Sequence, residues 1–563
     1  MKTKILITLL FLSLSLSAQY TFEELQINSN GSSLPHSFVE FKGALYFSAI
    51  NDNSGRELWK TDGTPEGTIL VKDINPNGDA DPRRFTVVNN TLFFTAKNGT
   101  NGRELWKTDG TTSGTTLVKD INTGFGDGVA SAFIPFKVLN NKLIFTAQQQ
   151  GVSNSYLFES DGSDAGTKPI STEVQVNVNV FTERNMVVYN NLVLFPGKNK
   201  NGSSLGTELY KTDLSTTVLV KDINLGSNSS FPAEMIVYNT FVYFVAEKSG
   251  EGDELWKTDG TASGTTLVKD IKPGSIGSFS NYARFKVFKD KLYFAANDGV
   301  HGREIWVSDG TTSGTILFID INANGNQNGI VEVDGSQQLF YEFNDKMYFK
   351  ATNTYNASNI ENNIEPWETD GTIAGTKQLA DLNPNGNSMS VYNHFFSYNN
   401  RLLFTGIDFN DVTKGTLWSY DFSTSPINIM PENTVFTDVE VDFYKPIIFN
   451  EALYLAAKFN INENNNGTEL WKITSNPLSV LDTQEELGFH LYPNPTATNF
   501  TVSLKKNTIQ SLKIYSLLGK QIVNRSVSNQ RKIEVNISTL PKGIYFVKVK
   551  TDAKSITQKL IIK

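Results

Sequence analysis

Nine times along the chain an aromatic residue sits in variants of one phrase, clearest as Glu104-Leu105-Trp106-Lys107-Thr108-Asp109-Gly110-Thr111. The anchors are Trp59, Trp106, Phe158, Tyr210, Trp256, Trp306, Trp367, Trp418 and Trp471, spaced 46 to 61 residues apart. A period of that length means a repeat architecture, in which each unit buries its apolar faces against its neighbours. It also argues against catalysis, because reacting groups are usually unique rather than copied along a chain.

Each unit reads as four short strands. In the second these are Phe85–Val88, Thr91–Ala96, Glu104–Asp109 and Thr115–Ile121. Asn89-Asn90 forms a two-residue turn, since Asn tolerates positive φ, and Asp109 to Gly114 supplies turn chemistry between the last two strands. Strands such as Leu92-Phe93-Phe94 and Leu292-Tyr293-Phe294 carry large apolar groups on both faces, as strands covered on both sides do. The expected fold class is all-β: a single large β-propeller of nine four-stranded blades, with seven or eight as alternatives because about four to eight is usual, followed by a small C-terminal β-sandwich. Thr21–Ile27 reads as an orphan fourth strand, and the ninth unit lacks one after Lys472, so the two fragments should complete each other and cover two bare edges.

Lys2 and Lys4, the apolar run Ile5–Leu16 and the small exit Ser17-Ala18 read as a secretory signal over residues 1–18. That run is shorter than the ~20 residues a membrane span needs, and no later segment qualifies, so no transmembrane segment is expected in the mature chain. The absence of cysteine excludes disulfides, thiol catalysis and cysteine metal sites. A net charge of −8 with Lys and Arg scattered argues against nucleic acid or anionic membrane as partner.

The repeat region is expected over 19–475, a linker over 476–488 and a different domain over 489–563. That last stretch holds Tyr492-Pro493-Asn494-Pro495, Tyr515-Ser516-Leu517-Leu518-Gly519-Lys520, Leu540-Pro541-Lys542-Gly543-Ile544-Tyr545-Phe546-Val547 and a Lys-rich apolar end. Read physically, it makes six or seven short alternating strands. It closely resembles the type A C-terminal sorting domain of the type IX secretion system of Bacteroidetes. The resemblance makes Tyr492, Pro493, Asn494, Pro495, Gly519, Gly543 and Tyr545 the sorting motif, and the type IX machinery a partner. It implies a secreted or cell-surface protein that crosses the inner membrane by its leader and the outer membrane by this domain. The repeats are also similar to ones common in secreted proteins of such bacteria, for which no agreed activity exists.

The repeated tryptophans suit packing between blades better than sugar stacking, since Phe158 and Tyr210 replace them. No cofactor is implied. Calcium is the one metal to consider, because Asp73, Asn75 and Asn77 alternate as in a calcium loop, but Arg84 stands where a bidentate Glu is required. Gly102-Arg103-Glu104 and its copies suggest salt bridges between neighbouring blades. His36, His301, His394 and His490 show no metal-ligand spacing, and no catalytic constellation is recognisable. The expectation is a non-catalytic binding module for an extracellular protein or polysaccharide. The alternative is an extracellular glycan-active hydrolase or lyase on the same scaffold. Specificity is expected in the individual, Asn-rich loop Thr352–Glu365, on Tyr355, Asn356, Asn359 and Asn362.

Overall fold

The computed structural model describes residues 19–476 and 489–563, apart from segments that include 130–135, 177–183, 331–338, 354–362, 438–445 and 460–466. The leader and nearly all of the linker lie outside the described residues. Among those described, the chain is all-β, with no helix. It divides into two compact bodies, Phe22–Ile473 and one that contains Thr474–Lys563.

The larger body repeats one antiparallel meander. In its second unit Arg83–Val88, Thr91–Ala96, Glu104–Thr108 and Thr116–Lys119 pair in chain order. The fourth strand stops at Lys119 rather than Ile121 because the Ile121 N–H turns away to the Glu104 carboxylate (3.0 Å). The first begins two residues earlier than its pattern suggests, through a bulge at Arg84 (φ 62°). Two-residue turns join first and second strands, with Asn140 and Asn141 at φ 51° and 59° between the paired Leu139 and Lys142.

Among the described residues there are nine such units. Val174–Val176 bridges the third to the fourth and Phe436–Thr437 the eighth to the ninth. The ninth unit's third strand, Glu469–Asn476, has Gln19–Leu25 beside it. This unit also packs on the first: Leu25, Phe449, Tyr454 and Leu470 share a core with Leu45, Phe47 and Trp59. The series of units therefore closes on itself.

Apolar clusters span successive units, and in eight of the nine the repeated aromatic packs back onto the preceding one. Trp106 joins Phe41, Tyr46 and Leu58 of the first unit, and Phe158 joins Phe93 and Leu105 of the second. Tyr210, Trp256, Trp306, Trp367 and Trp418 do the same in their units. Trp106→Ala should therefore cost about 3–5 kcal/mol through the cavity it leaves. Trp106→Phe, which copies the third unit and keeps most of the ring's volume, should cost less, about 1–2 kcal/mol. Urea unfolding of the two variants would measure both.

The C-terminal body contains seven described strands in two sheets that share one core. His490–Tyr492, Asn499–Ser503 and Lys532–Asn536 form one sheet. Gln521–Gln530, Ile509–Ser516, Gly543–Thr551 and Ser555–Ile562 form the other. Phe500, Val502, Ile514, Val547 and Leu560 are buried between them.

Candidate functional site

Every recurrent polar residue of the phrase has a partner inside the scaffold. The glutamate clamps the turn that leaves the fourth strand. Glu57 accepts the N–H groups of Ile74 (2.7 Å), Asn75 (3.3 Å) and Ala80 (3.1 Å), and Glu304 those of Ile321, Asn322 and Gly329. Glu104, Glu208, Glu254 and Glu365 make equivalent bonds. Glu469 clamps across the two chain ends, taking Ile27 N–H at 3.0 Å and the Ser33 hydroxyl at 2.7 Å. Burial pushes Glu57 and Glu304 up to about 8, and Glu104, Glu254, Glu365 and Glu469 up to about 7, against the pull of those donors.

The lysine after the tryptophan fastens one unit to the next. Lys60 donates to the Gly110 carbonyl, Lys107 to Gly162, Lys211 to Gly260 and Lys257 to Gly310, at 2.8–3.1 Å. Lys472 of the ninth unit donates to Gly63 of the first at 2.7 Å, so the stitch is cyclic. The acceptor needs glycine: Gly63 and Gly110 sit at φ +98°, and a Cβ there would strike the hydroxyl of Tyr454 or Tyr46 from the preceding unit. The flanking residues shape the turn, Thr61 accepting the Gly63 N–H and Asp62 the N–H and hydroxyl of Thr64. Those hydrogen bonds hold Asp62 below the usual carboxylate range.

Where the next unit has no such glycine, the lysine is gone as well. Glu159 precedes the turn Asp213-Leu214, and Glu368 precedes Asp421-Phe422. Both glutamates pair instead with lysines of their own unit, Lys142 and Lys346, at 2.9 and 2.8 Å.

The Gly-Arg-Glu expectation needs correction. Among the described residues its glutamate is held by backbone amides rather than by an inter-unit salt bridge, and Arg103 reaches the connection into its own unit. Arg103 Nη2 lies 2.6 Å from Asp81 Oδ2, which Arg83 also meets at 2.8 Å. Burial would raise Asp81, but the two arginines outweigh it and hold the carboxyl below its usual range. Burial, then the Arg56 charge, pushes neighbouring His36 down to about 3, so its imidazole is neutral. A second buried network sets Arg184 3.7 Å from Glu234, which also accepts the Arg284 N–H. Both networks lie where chains enter first strands, and no regularity in the sequence announces them.

The calcium-like loops use asparagine as a donor. Asn75 Nδ2 gives its proton to the Asp79 carbonyl, and Asn122, Asn224, Asn322 and Asn383 close their turns likewise. Among the described residues no three His, Cys, Asp or Glu groups gather in a metal-like cluster.

The second-to-third and fourth-to-first loops of a unit abut. Gly102 lies against Gly126, Gly252 against Gly277 and Gly302 against Gln327. The tips of these loops carry apolar side chains into solvent: Phe125 (83% exposed), Leu225 (78%), Ile276 (70%) and Val300 (62%). Tyr355, Asn356, Asn359 and Asn362 lie outside the described residues.

In the C-terminal body, Asn494 Oδ1 accepts the Ile561 N–H (2.8 Å) and its Nδ2 donates to the Lys559 carbonyl (2.7 Å), which fastens the Tyr-Pro-Asn-Pro segment to the last strand. Tyr492-Pro493 and Asn494-Pro495 are cis, and the Tyr545 hydroxyl donates to the Pro541 carbonyl at 2.9 Å. Gly543 begins its strand, and Gly519 lies outside the described residues.

Ulvan lyase NLR42 of Nonlabens ulvanivorans is 33% identical over 94 residues, 16% of this chain and 17% of that protein. A puromycin-hydrolyzing peptidase of Mycobacterium tuberculosis aligns at 9% identity and TM-score 0.33, covering 67% of this chain and 59% of the peptidase. Prolyl oligopeptidase B from Galerina marginata aligns at 9% and 0.34, covering 69% and 57%. The chain thus spans less than two thirds of each of these proteins. Residues 490–563 match the secretion system C-terminal sorting domain family. This segment is such a sorting domain, and the chain carrying it is exported by the type IX system to the cell surface or the extracellular space.

Proposed function

We propose that the larger body is a nine-bladed β-propeller, followed by a sorting β-sandwich, and that it is a non-catalytic binding module for an extracellular protein or polysaccharide. The support is the way polar groups are used. The repeated Glu, Lys, Thr and Asp all fasten the scaffold, which leaves recognition to residues that do not repeat. Exposed apolar tips gather on the loops between second and third strands and between units, and those loops share one rim in an antiparallel meander. Single exposed apolar residues need no explanation, but the recurrence of four on the same classes of loop supports a contact surface. We assign recognition also to the connection Thr352–Glu365, which joins the second and third strands of its unit in the sequence, through Tyr355, Asn356, Asn359 and Asn362.

The test is a glycan-array and surface-protein screen with the full chain, repeated with Phe125, Leu225, Ile276 and Val300 all changed to Ser. A ligand should appear and its affinity should fall at least tenfold in the variant, with melting unchanged. A ligand bound equally by both proteins would refute this rim as the site. The ulvan-lyase match favours the second reading, a glycan-active enzyme. Release of unsaturated or reducing ends from ulvan by the full chain would replace binding with catalysis.

A further inference from the structure

Charge is not evenly scattered, contrary to the reading of the whole chain. Residues 490–563 hold 13 Lys and Arg against two Asp and Glu, whereas residues 1–489 hold 37 against 56. Four of the thirteen, Lys513, Lys548, Lys550 and Lys559, share one face of the four-stranded sheet. Alternation buries Leu512, Ile514, Val547 and Val549, and turns Lys513, Tyr515, Phe546, Lys548 and Lys550 outward. Register sets Lys513 directly opposite Lys548, Tyr515 opposite Phe546, and Phe546 opposite Lys559. Of the two acids, Glu534 is on the other sheet and Asp552 lies outside the described residues.

Like charges directly opposite on adjacent strands destabilise a sheet. A fold selected for stability alone would place an acid or a neutral residue there. We propose that this face binds an anionic polysaccharide, its lysines meeting carboxylate or sulfate groups and its paired rings stacking on sugar faces. Lysine is depleted at protein interfaces, which prefer apolar cores, so a second protein fits the face less well. A membrane calls for a cluster of apolar groups that insert, whereas on the strand Gly543–Thr551 this face has one exposed aliphatic side chain, Ile544, and its rings Tyr515 and Phe546 are half-buried between their neighbours. The inference stands apart from the rim reading, since the two faces belong to different bodies.

The test uses the full chain with polygalacturonate and dextran sulfate as probes, beside neutral dextran, phosphatidylglycerol vesicles and single-stranded DNA. Both anionic glycans should bind, with affinity falling as salt rises. Lys513→Gln with Lys548→Gln should weaken them at least tenfold while the melting temperature holds or rises, opposite to what a folding defect gives. Arg531→Gln with Lys532→Gln, on the other sheet, should change affinity less than twofold. Tyr515→Leu with Phe546→Leu should weaken polygalacturonate several-fold. Equal losses from the two charge pairs, lower melting in the first, equal binding of neutral dextran, or tighter binding of vesicles or DNA would each overturn the proposal.

Discussion

A chain deleted of Gln19–Ile27 should be recovered largely as aggregate, and any soluble fraction should melt more than ten degrees below the full-length protein. Two fully packed apolar side chains go with the segment: Leu25 and Ile27, both buried in the core shared by the ninth and first units. Their burial is worth about 1.5–3 kcal/mol each. Glu469 loses its Ile27 donor, the Lys472–Glu23 ion pair at 3.1 Å disappears, and Glu469–Asn476 becomes a bare edge. The lost hydrogen bond is worth about 0.5–1.5 kcal/mol, so the total reaches the lower part of the ~5–15 kcal/mol by which domains are usually stable. The exposed edge then offers a template for pairing with other chains. A synthetic peptide of residues 19–34 should rescue solubility when added during refolding. Melting within two degrees of the full chain would show that the segment fastens nothing.

What could be read from the sequence was local. Asn140-Asn141 and its copies gave away the hairpins because a two-residue turn with positive φ has few chemical solutions. The Trp106 series gave away inter-unit packing because substitution by Phe158 and Tyr210 keeps volume and discards the indole. Partners were out of reach where they lie far along the chain. Lys107 finds Gly162 across 55 positions, and only the geometry shows that one motif's lysine serves the next motif's glycine. The exchange at Glu159 and Glu368 was present as text, yet it had no meaning until that bond was known. The glutamate of the motif read as half of a salt bridge between blades because nothing local says that its carboxylate turns inward to backbone amides. The first-strand bulges at Arg84 and Glu234 (φ 54°), which shape the buried ion networks, rest on non-glycine residues and leave no compositional trace. The basic sheet face was legible, but averaging charge over 563 residues hid it.

The glutamate clamps predict an unusual pH profile: the larger body should be more stable at pH 6 than at pH 8.5. An exposed Glu titrates near 4.3, while burial lifts six of these to about 7 or 8, helped in Glu57 and Glu304 by the nearby Asp73 and Asp320 charges. Between those limits the folded chain holds protons that the unfolded chain has released, so stability falls with rising pH. The contribution is complete below about pH 4.3 and is lost progressively up to about pH 8. If each of the six sites yields only about 1 kcal/mol between pH 6 and 8.5, less than the ~1.4 kcal/mol of a single pKa unit, the sum of about 6 kcal/mol should lower the melting temperature by about 5 °C. Glu304→Gln should flatten the profile slightly. Glu304→Ala should instead destabilise at every pH by about 3–6 kcal/mol, since Ile321, Asn322 and Gly329 each lose a buried acceptor. Thermal melts at pH 6, 7 and 8.5 in constant salt decide the matter. A flat profile, or one rising with pH, would mean that the amide donors keep the carboxylates ionised and that burial does not control them.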